Sequence, residues 1–501
     1  MNKLNLSSQI ASDQLVGVFG VGSIYELRSH WAAGPSVLHS VMVAGLDFWD
    51  RDHLHEVHDP VLASILNVKN FFAPPALNQH SDRQHDFQAS VPVVRFPRWL
   101  VCSQCQRLGK VPSEFIDIGF TGPSCRAPGC KGRGIPVRLV VACFGEDGEQ
   151  PGHIDDFPWS WWAHSGKVCS EPQLKLEAKP GSTSLSGLLV SCYNPVCREH
   201  QISRTLGDAL MPEMLATQHC TGHRPWLNDH EKGCQRKVRA VFRHASNVYF
   251  PVTASAISIP PYSAEVTQIL LRHFGTLIGI TRRQLNRGKD VDWEDIIDSL
   301  CEESPTLRRY PAKQLRAAVL ALAQPPDEDI GEQEHRSRER LAILAGQSED
   351  ADPGSVFVAI RESKSAFSPW LSSIVTALVR VERLRVVRAL SGFQRIRATG
   401  LAPLRTKNDD RGWLPAIEAF GEGIYLELNP ATVKKWSGKP LVMERIELLM
   451  RNFSAAGGQI PNNQNKIVPG LVLLHTLSHL LVKQLSLDSG YSTGSLHERL
   501  Y

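Results

Sequence analysis

At 501 residues, of which 42% are hydrophobic, the chain is long enough for two to four domains, each with its own core. Its 55 basic residues nearly balance its 51 acidic ones, and a net charge of +4 neither demands nor excludes nucleic acid, because local patches matter more than the sum. No run of eighteen uncharged apolar residues occurs, and the opening MNKLNLSSQIASDQ lacks the apolar core of a signal peptide, so the expectation is a cytoplasmic protein without a membrane span.

Residues 1–95 read as an N-terminal domain. VGVFGVGSIYEL and VLHSVMVAGLDFW, within residues 16–49, carry the β-branched and aromatic content of strands, or of a strand with a short helix. NQHSDRQHDFQ (78–88) reads as a polar surface loop. Residues 96–260 combine short strand-like runs, frequent Gly and Pro, and ten of the eleven cysteines, as expected of two small β-rich modules stapled by metal. In residues 261–354, AEVTQILLRHFGTLIGI and AKQLRAAVLALAQ space apolar residues as helices do. Residues 325–353 are acidic and polar and read as a linker or exposed insertion, with RSRERLAILA supplying at most a turn or two of helix. In residues 355–501, the segment 356–390 reads as helical, and WLPAIEAFGEGIYLEL as a turn followed by a strand. ELLMRNF and PGLVLLHTLSHLLVKQLSL read as helices. The expected class is multidomain α+β, with zinc-ribbon-like β modules in the N-terminal half, a mainly helical C-terminal half, and a mixed α/β domain at the end.

The cysteines carry the sharpest signal. CSQC, nineteen intervening residues, then CRAPGC place Cys102, Cys105, Cys125 and Cys130 as two knuckles of a zinc ribbon. Four thiolates at about 2.3 Å satisfy tetrahedral Zn²⁺ with no open position, so such a site contributes folding energy and no catalysis. A second structural Zn²⁺ site is expected from Cys192, Cys197, Cys220 and Cys234, where Cys169, His200, His219 or His223 can stand in for one ligand. Cys143, in the apolar run VRLVVACF, and Cys301, at a helix end, read as buried and inert.

Other motifs are weaker. GYSTG (490–494) matches the nucleophile-elbow pattern at Ser492 but lacks the preceding strand that the motif needs. His475 and His479 lie four residues apart on one helix face, without the Glu of H-E-x-x-H, and read as buried histidines in an apolar helix. GVFGVGS has no P-loop lysine, and no such motif occurs elsewhere, which excludes a nucleotide hydrolase of that type. Basic stretches at 236–244, 281–289 and 380–397 offer Arg236, Lys237, Arg239, Arg282, Arg283, Arg383 and Arg388 to nucleic acid or to an acidic partner. On a helix, Arg380, Arg383 and Arg388 would share a face.

GVGSIYEL, VMVAGLDFW, VRFPRWLVCSQC, HASNVYFPVTASAISIP and LLHTLSHLLVKQLSLDSGYSTGSLHERLY together resemble the DrmB family, subunits of the bacterial anti-phage defence system DISARM. The resemblance runs in islands from residue 16 to residue 501. It implies a non-catalytic accessory subunit that partners a helicase-like ATPase (DrmA-like) and meets foreign DNA through that complex. Relatives continue beyond the ERLY motif with a Gly-rich strand region and a further cysteine cluster, so the expectation is either that the C-terminal, helicase-associated domain continues beyond Tyr501 or that this member lacks that module. The rival expectation is a nuclease or hydrolase using the His475/His479 or Ser492 region.

Overall fold

The structure, a computed structural model, describes residues 10–29, 37–75, 90–117, 122–144, 151–182, 184–324, 331–348, 352–396, 400–406, 412–455 and 467–501. The polar loop expected at 78–88 lies outside them. The class is α+β, with strands concentrated in the N-terminal half and helices in the C-terminal half. The chain divides into two compact units: residues 1–55, 72–253 and 389–417 form the first, and residues 56–71, 254–388 and 418–501 the second.

In the first unit, Ile24–Ser29 and Val37–Val43 pair antiparallel, and Val93–Arg95 adds a third strand. The glycine-rich stretch before them packs tightly. Gly22 adopts φ +84°, and any Cβ there would overlap the Phe393 ring. Two further sheets follow. One has six short strands in the order Gly134–Pro136, Trp99–Cys102, Arg107–Lys110, Leu174–Ala178, Leu188–Cys192, Ser203–Thr205. The other places Leu139–Phe144 between Ile154–Asp156 and Lys237–Phe242. Burial of Phe157, Trp159, Trp162, Val190 and Leu206 joins them in one core. A second core surrounds Trp226, Phe393 and Trp413. Within it Arg395 is 1% exposed and donates to the carbonyls of Gly152, Val248 and Gly22 at 2.6–2.9 Å. Burial without a carboxylate partner pulls its pKa down to about 9.

In the second unit, the helices Glu265–His273, Gly275–Asn286, Trp293–Glu303 and Ala312–Ala323 and the 3₁₀ turn Pro305–Arg309 bury Leu270, Leu300, Leu307 and Val319 against one another. Residues 332–345, read as part of a linker, form the helix Glu332–Ala345 with His335, Glu339 and Ile343 buried. Segment 356–390, expected to be helical, is mainly extended. It contains the strand Val358–Arg361, the short helix Pro369–Ile374 and a 20-residue strand, Val375–Gln394. Val375, Ala377, Val379 and Val381 are all buried, which is the period-2 burial of a strand. Apolar spacing there fits either period, and the β-branched valines, which pack well on a pleated surface, decide it. The expected turn at residue 413 is absent, because Trp413–Leu428 is a single strand. Among the described residues one helix, Pro469–Ser489, is long and apolar enough by length and composition to cross a membrane, and none of its apolar window is buried.

Candidate metal centres

Three tetrads of Cys and His, each with ligand atoms within 4.8 Å of one another, lie in the first unit. For a metal with M–S bonds of about 2.3 Å, tetrahedral geometry puts sulfurs about 3.7–3.8 Å apart.

The first tetrad is Cys102, Cys105, Cys125 and Cys130, the set expected from the two knuckles. Strand Trp99–Cys102 delivers Cys102, and Phe115–Asp117 pairs with Pro123–Cys125 to place Cys125 opposite Phe115. Cys102 and Cys130 lie 3.5 Å apart, Cys105 and Cys125 3.6 Å. Backbone N–H groups of Gln104, Ala127 and Gly132 point at the sulfurs of Cys102, Cys125 and Cys130, each at 3.4 Å. The Gly132 N–H helps bring the Cys130 thiol down to about 7, while burial pushes Cys125 up to about 12. Crowded thiols that cannot all ionise are relieved when a cation takes the place of their protons.

The expected second set does not assemble. Cys220 and Cys234 join Cys143 and His153, whereas Cys192 and Cys197 join His164 and Cys169. Strand pairing explains the division. Leu139–Phe144 binds Ile154–Asp156 on one side and Lys237–Phe242 on the other, so Cys143, His153 and Cys234 converge at one end of that sheet. The Cys220 N–H donates to the Arg236 carbonyl at 2.8 Å, which completes the group. Cys143, read as inert, lies 3.9 Å from Cys234. His153 presents Nδ1 to Cys220 Sγ at 3.4 Å, and its Nε2 sits 3.3 Å from Glu231. A carboxylate on the far nitrogen is how metal-binding imidazoles are oriented. The hydrogen bond from Cys143, with His153 alongside, lowers the Cys220 thiol and raises that of Cys143.

In the third tetrad, His164 caps the helix Trp159–Ala163, Cys192 ends the strand Leu188–Cys192, and Cys197 lies on the short helix Pro195–Glu199. Cys169 and Cys192 are 4.0 Å apart. Spacing holds a signal for this set, since four residues separate His164 from Cys169 and four separate Cys192 from Cys197. His153 had no such repeat and becomes visible only through the register of its hairpin with Cys143.

His200, His219 and His223, the expected stand-ins, join none of these groups. His200 is exposed, His219 Nδ1 meets the Gln235 carbonyl at 3.2 Å, and His223 pairs with Asp155 at 3.1 Å and stacks on His230. Ser492 accepts from the Gly494 N–H at the start of a single 3₁₀ turn, with a helix before it. Histidines 475 and 479 are exposed, not buried.

The basic candidates fall on strand Lys237–Phe242 and its lead-in (Arg236, Lys237, Arg239), on helix Gly275–Asn286 (Arg282, Arg283) and on strand Val375–Gln394. Arg239 stacks on Phe144, and Arg282 donates to the Ala323 carbonyl at 3.0 Å. Being five residues apart on a strand, Arg383 and Arg388 point to opposite faces, unlike the shared helical face expected. Arg383 donates to the carbonyls of Pro353 and Ser355 at 2.9 Å.

Over 93% of its length the chain is 28% identical to the DISARM protein DrmB of Bacillus paralicheniformis, and the match covers 80% of that protein. The chain is similar to DrmB over nearly its whole length. Residues 11–250 also match a family described as a domain of unknown function (DUF8724), a span that contains all three tetrads.

Proposed function

We propose that this DrmB relative serves in DISARM anti-phage defence as a non-catalytic subunit, its N-terminal modules held by structural zinc. The near full-length similarity to DISARM protein DrmB carries the assignment. Thiolate-rich, largely buried tetrads suit Zn²⁺, and a full set of four protein ligands leaves no position for substrate. The first tetrad is the first zinc site expected from sequence, whereas the second expected site divides, Cys220 and Cys234 entering the second tetrad and Cys192 and Cys197 the third. The third extends the count to three.

In this reading the chain binds a DrmA-like helicase ATPase in the cytoplasm and contributes arginines to DNA engagement within that complex. The exposed Lys237, Arg282 and Arg283 are the side chains best placed to reach phosphate. Co-expression with the helicase-like subunit of its own system tests the proposal. A stable complex should form whose ATP turnover resides in the partner, and whose DNA affinity falls steeply with salt. ATP turnover by the purified chain alone, surviving repurification, would overturn the non-catalytic assignment.

A further inference from the structure

The C-terminal helix carries a fourth constellation unlike the tetrads. His475 and His479 sit one turn apart on Pro469–Ser489, their ring centroids 4.4 Å apart. Glu498, from the segment after the helix, places Oε1 2.7 Å from His475 Nδ1. Ligand atoms of all three residues lie within 4.8 Å, and all three are exposed. A cavity of about 500 Å³, bordered by His479, Lys483, His497 and Glu498, opens beside them.

We infer that His475, His479 and Glu498 form an open, exchangeable site for a divalent transition metal of the Zn²⁺ class. Two imidazoles at i and i+4 leave the same face of one helix with ligand atoms within 4.8 Å of each other, so both can reach one ion. The carboxylate is held by its neighbours. Ser478 Oγ donates to Glu498, and the adjoining Arg499 is anchored on the fully buried Glu339 and on Ser255 Oγ at 2.7 Å. A local hydrogen bond between a histidine and a glutamate accounts for one pair; it leaves the second imidazole, stacked edge to face on the first, without a purpose. Imidazole and carboxylate donors select borderline cations over Ca²⁺. Three ligands leave coordination positions facing solvent and the cavity, the arrangement that separates exchangeable or catalytic sites from closed Cys-rich ones.

The test uses the tag-free chain, dialysed against a weak chelator so that tightly held metal stays in place, then titrated with Ni²⁺ or Zn²⁺ by calorimetry. One further equivalent should bind reversibly, and His475→Ala or His479→Ala should weaken it by at least about 10-fold. Glu498→Gln should weaken it less. Co²⁺ entering this site should give a visible spectrum without the intense thiolate band that a tetrad site produces. No reversible equivalent in the wild type, or an unchanged one in the His475→Ala/His479→Ala double variant, would overturn the inference. Metal retained through dialysis reports on the tetrads, so the two readings fail separately.

Discussion

Nε2 of His164 lies 3.6 Å from Sγ of Cys197, while the same ring sets Nδ1 2.7 Å from the Ser160 carbonyl. A carbonyl can only accept, so Nδ1 carries the proton and the Nε2 lone pair faces the sulfurs. The ring is thus held in the tautomer that a metal requires. His164→Ala is expected to lower bound zinc by one equivalent per chain. It should also destabilise the first unit by more than about 4 kcal/mol, the range reached when a structural metal is lost. Metal analysis with urea unfolding checks both, and unchanged zinc content would exclude His164 as a ligand.

Cys143, in an apolar run, and Cys301, at a helix end, both read as buried and inert in sequence, but the structure separates them. Cys143 is 3% exposed within a tetrad, whereas Cys301 packs at the edge of a helical core and belongs to no such group. Cys143→Ser should therefore cost one zinc equivalent. Cys301→Ser should leave the metal content intact and change stability by about 1 kcal/mol, as for one lost apolar contact. Equal metal content in the two variants would contradict the assignment of Cys143.

At the first tetrad a glycine packs directly against a ligand. A Cβ on Gly132 would overlap Cys102 Sγ and crowd the Gln104 backbone. Gly132→Ala should displace Cys102 from the tetrad and weaken the site's metal affinity by about 10-fold or more. Gly129→Ala, with open space around its Cβ but φ +72°, should cost only the backbone strain of about 1 kcal/mol. Competition with a chromogenic chelator distinguishes the two, and equal affinities would show that the thiolate tolerates the methyl group.

The first tetrad was legible because both of its ligand pairs are local knuckles, and local spacing survives folding. The second was not, since Cys143, His153, Cys220 and Cys234 meet only through pairing of strands almost a hundred residues apart in the chain, and the third carried its signal in a His–Cys spacing that a search for cysteine pairs does not use. Spacing joins Cys192 and Cys197 to the downstream Cys220 and Cys234 and offers stand-in histidines only at 200, 219 and 223, which passes over His153 and His164. The arginine-rich strand failed for a different reason. Its buried Arg385 lies 3.6 Å from Asp59 and donates to Ser258 Oγ at 2.7 Å, so an arginine occupies a core position that patterning reserves for apolar groups.

The helix Glu332–Ala345 holds the end of the described chain through one buried carboxylate. Glu339 is fully buried and receives the Arg499 guanidinium, with Nε at 2.8 Å, the Ile257 N–H at 2.9 Å and the Tyr501 hydroxyl at 3.3 Å. His335 Nε2 stands 2.8 Å away. Burial pushes the Glu339 pKa up, but the neighbouring His335 and the Arg499 guanidinium outweigh it, and the carboxyl titrates below its ordinary 4.5. A folded-state pKa below the unfolded one gives stability that is complete above about pH 4.5 and is lost as pH falls through the folded value. Glu339→Gln strands Arg499 and should cost about 3–5 kcal/mol at pH 7, as when one partner of a buried pair is removed. The gap between wild type and variant should then close below pH 4.5, because protonation removes the same charge from the wild type. Unfolding in urea at pH 7 and at several values below 4.5 measures that gap, and a difference constant with pH would mean that the Glu339 charge contributes nothing.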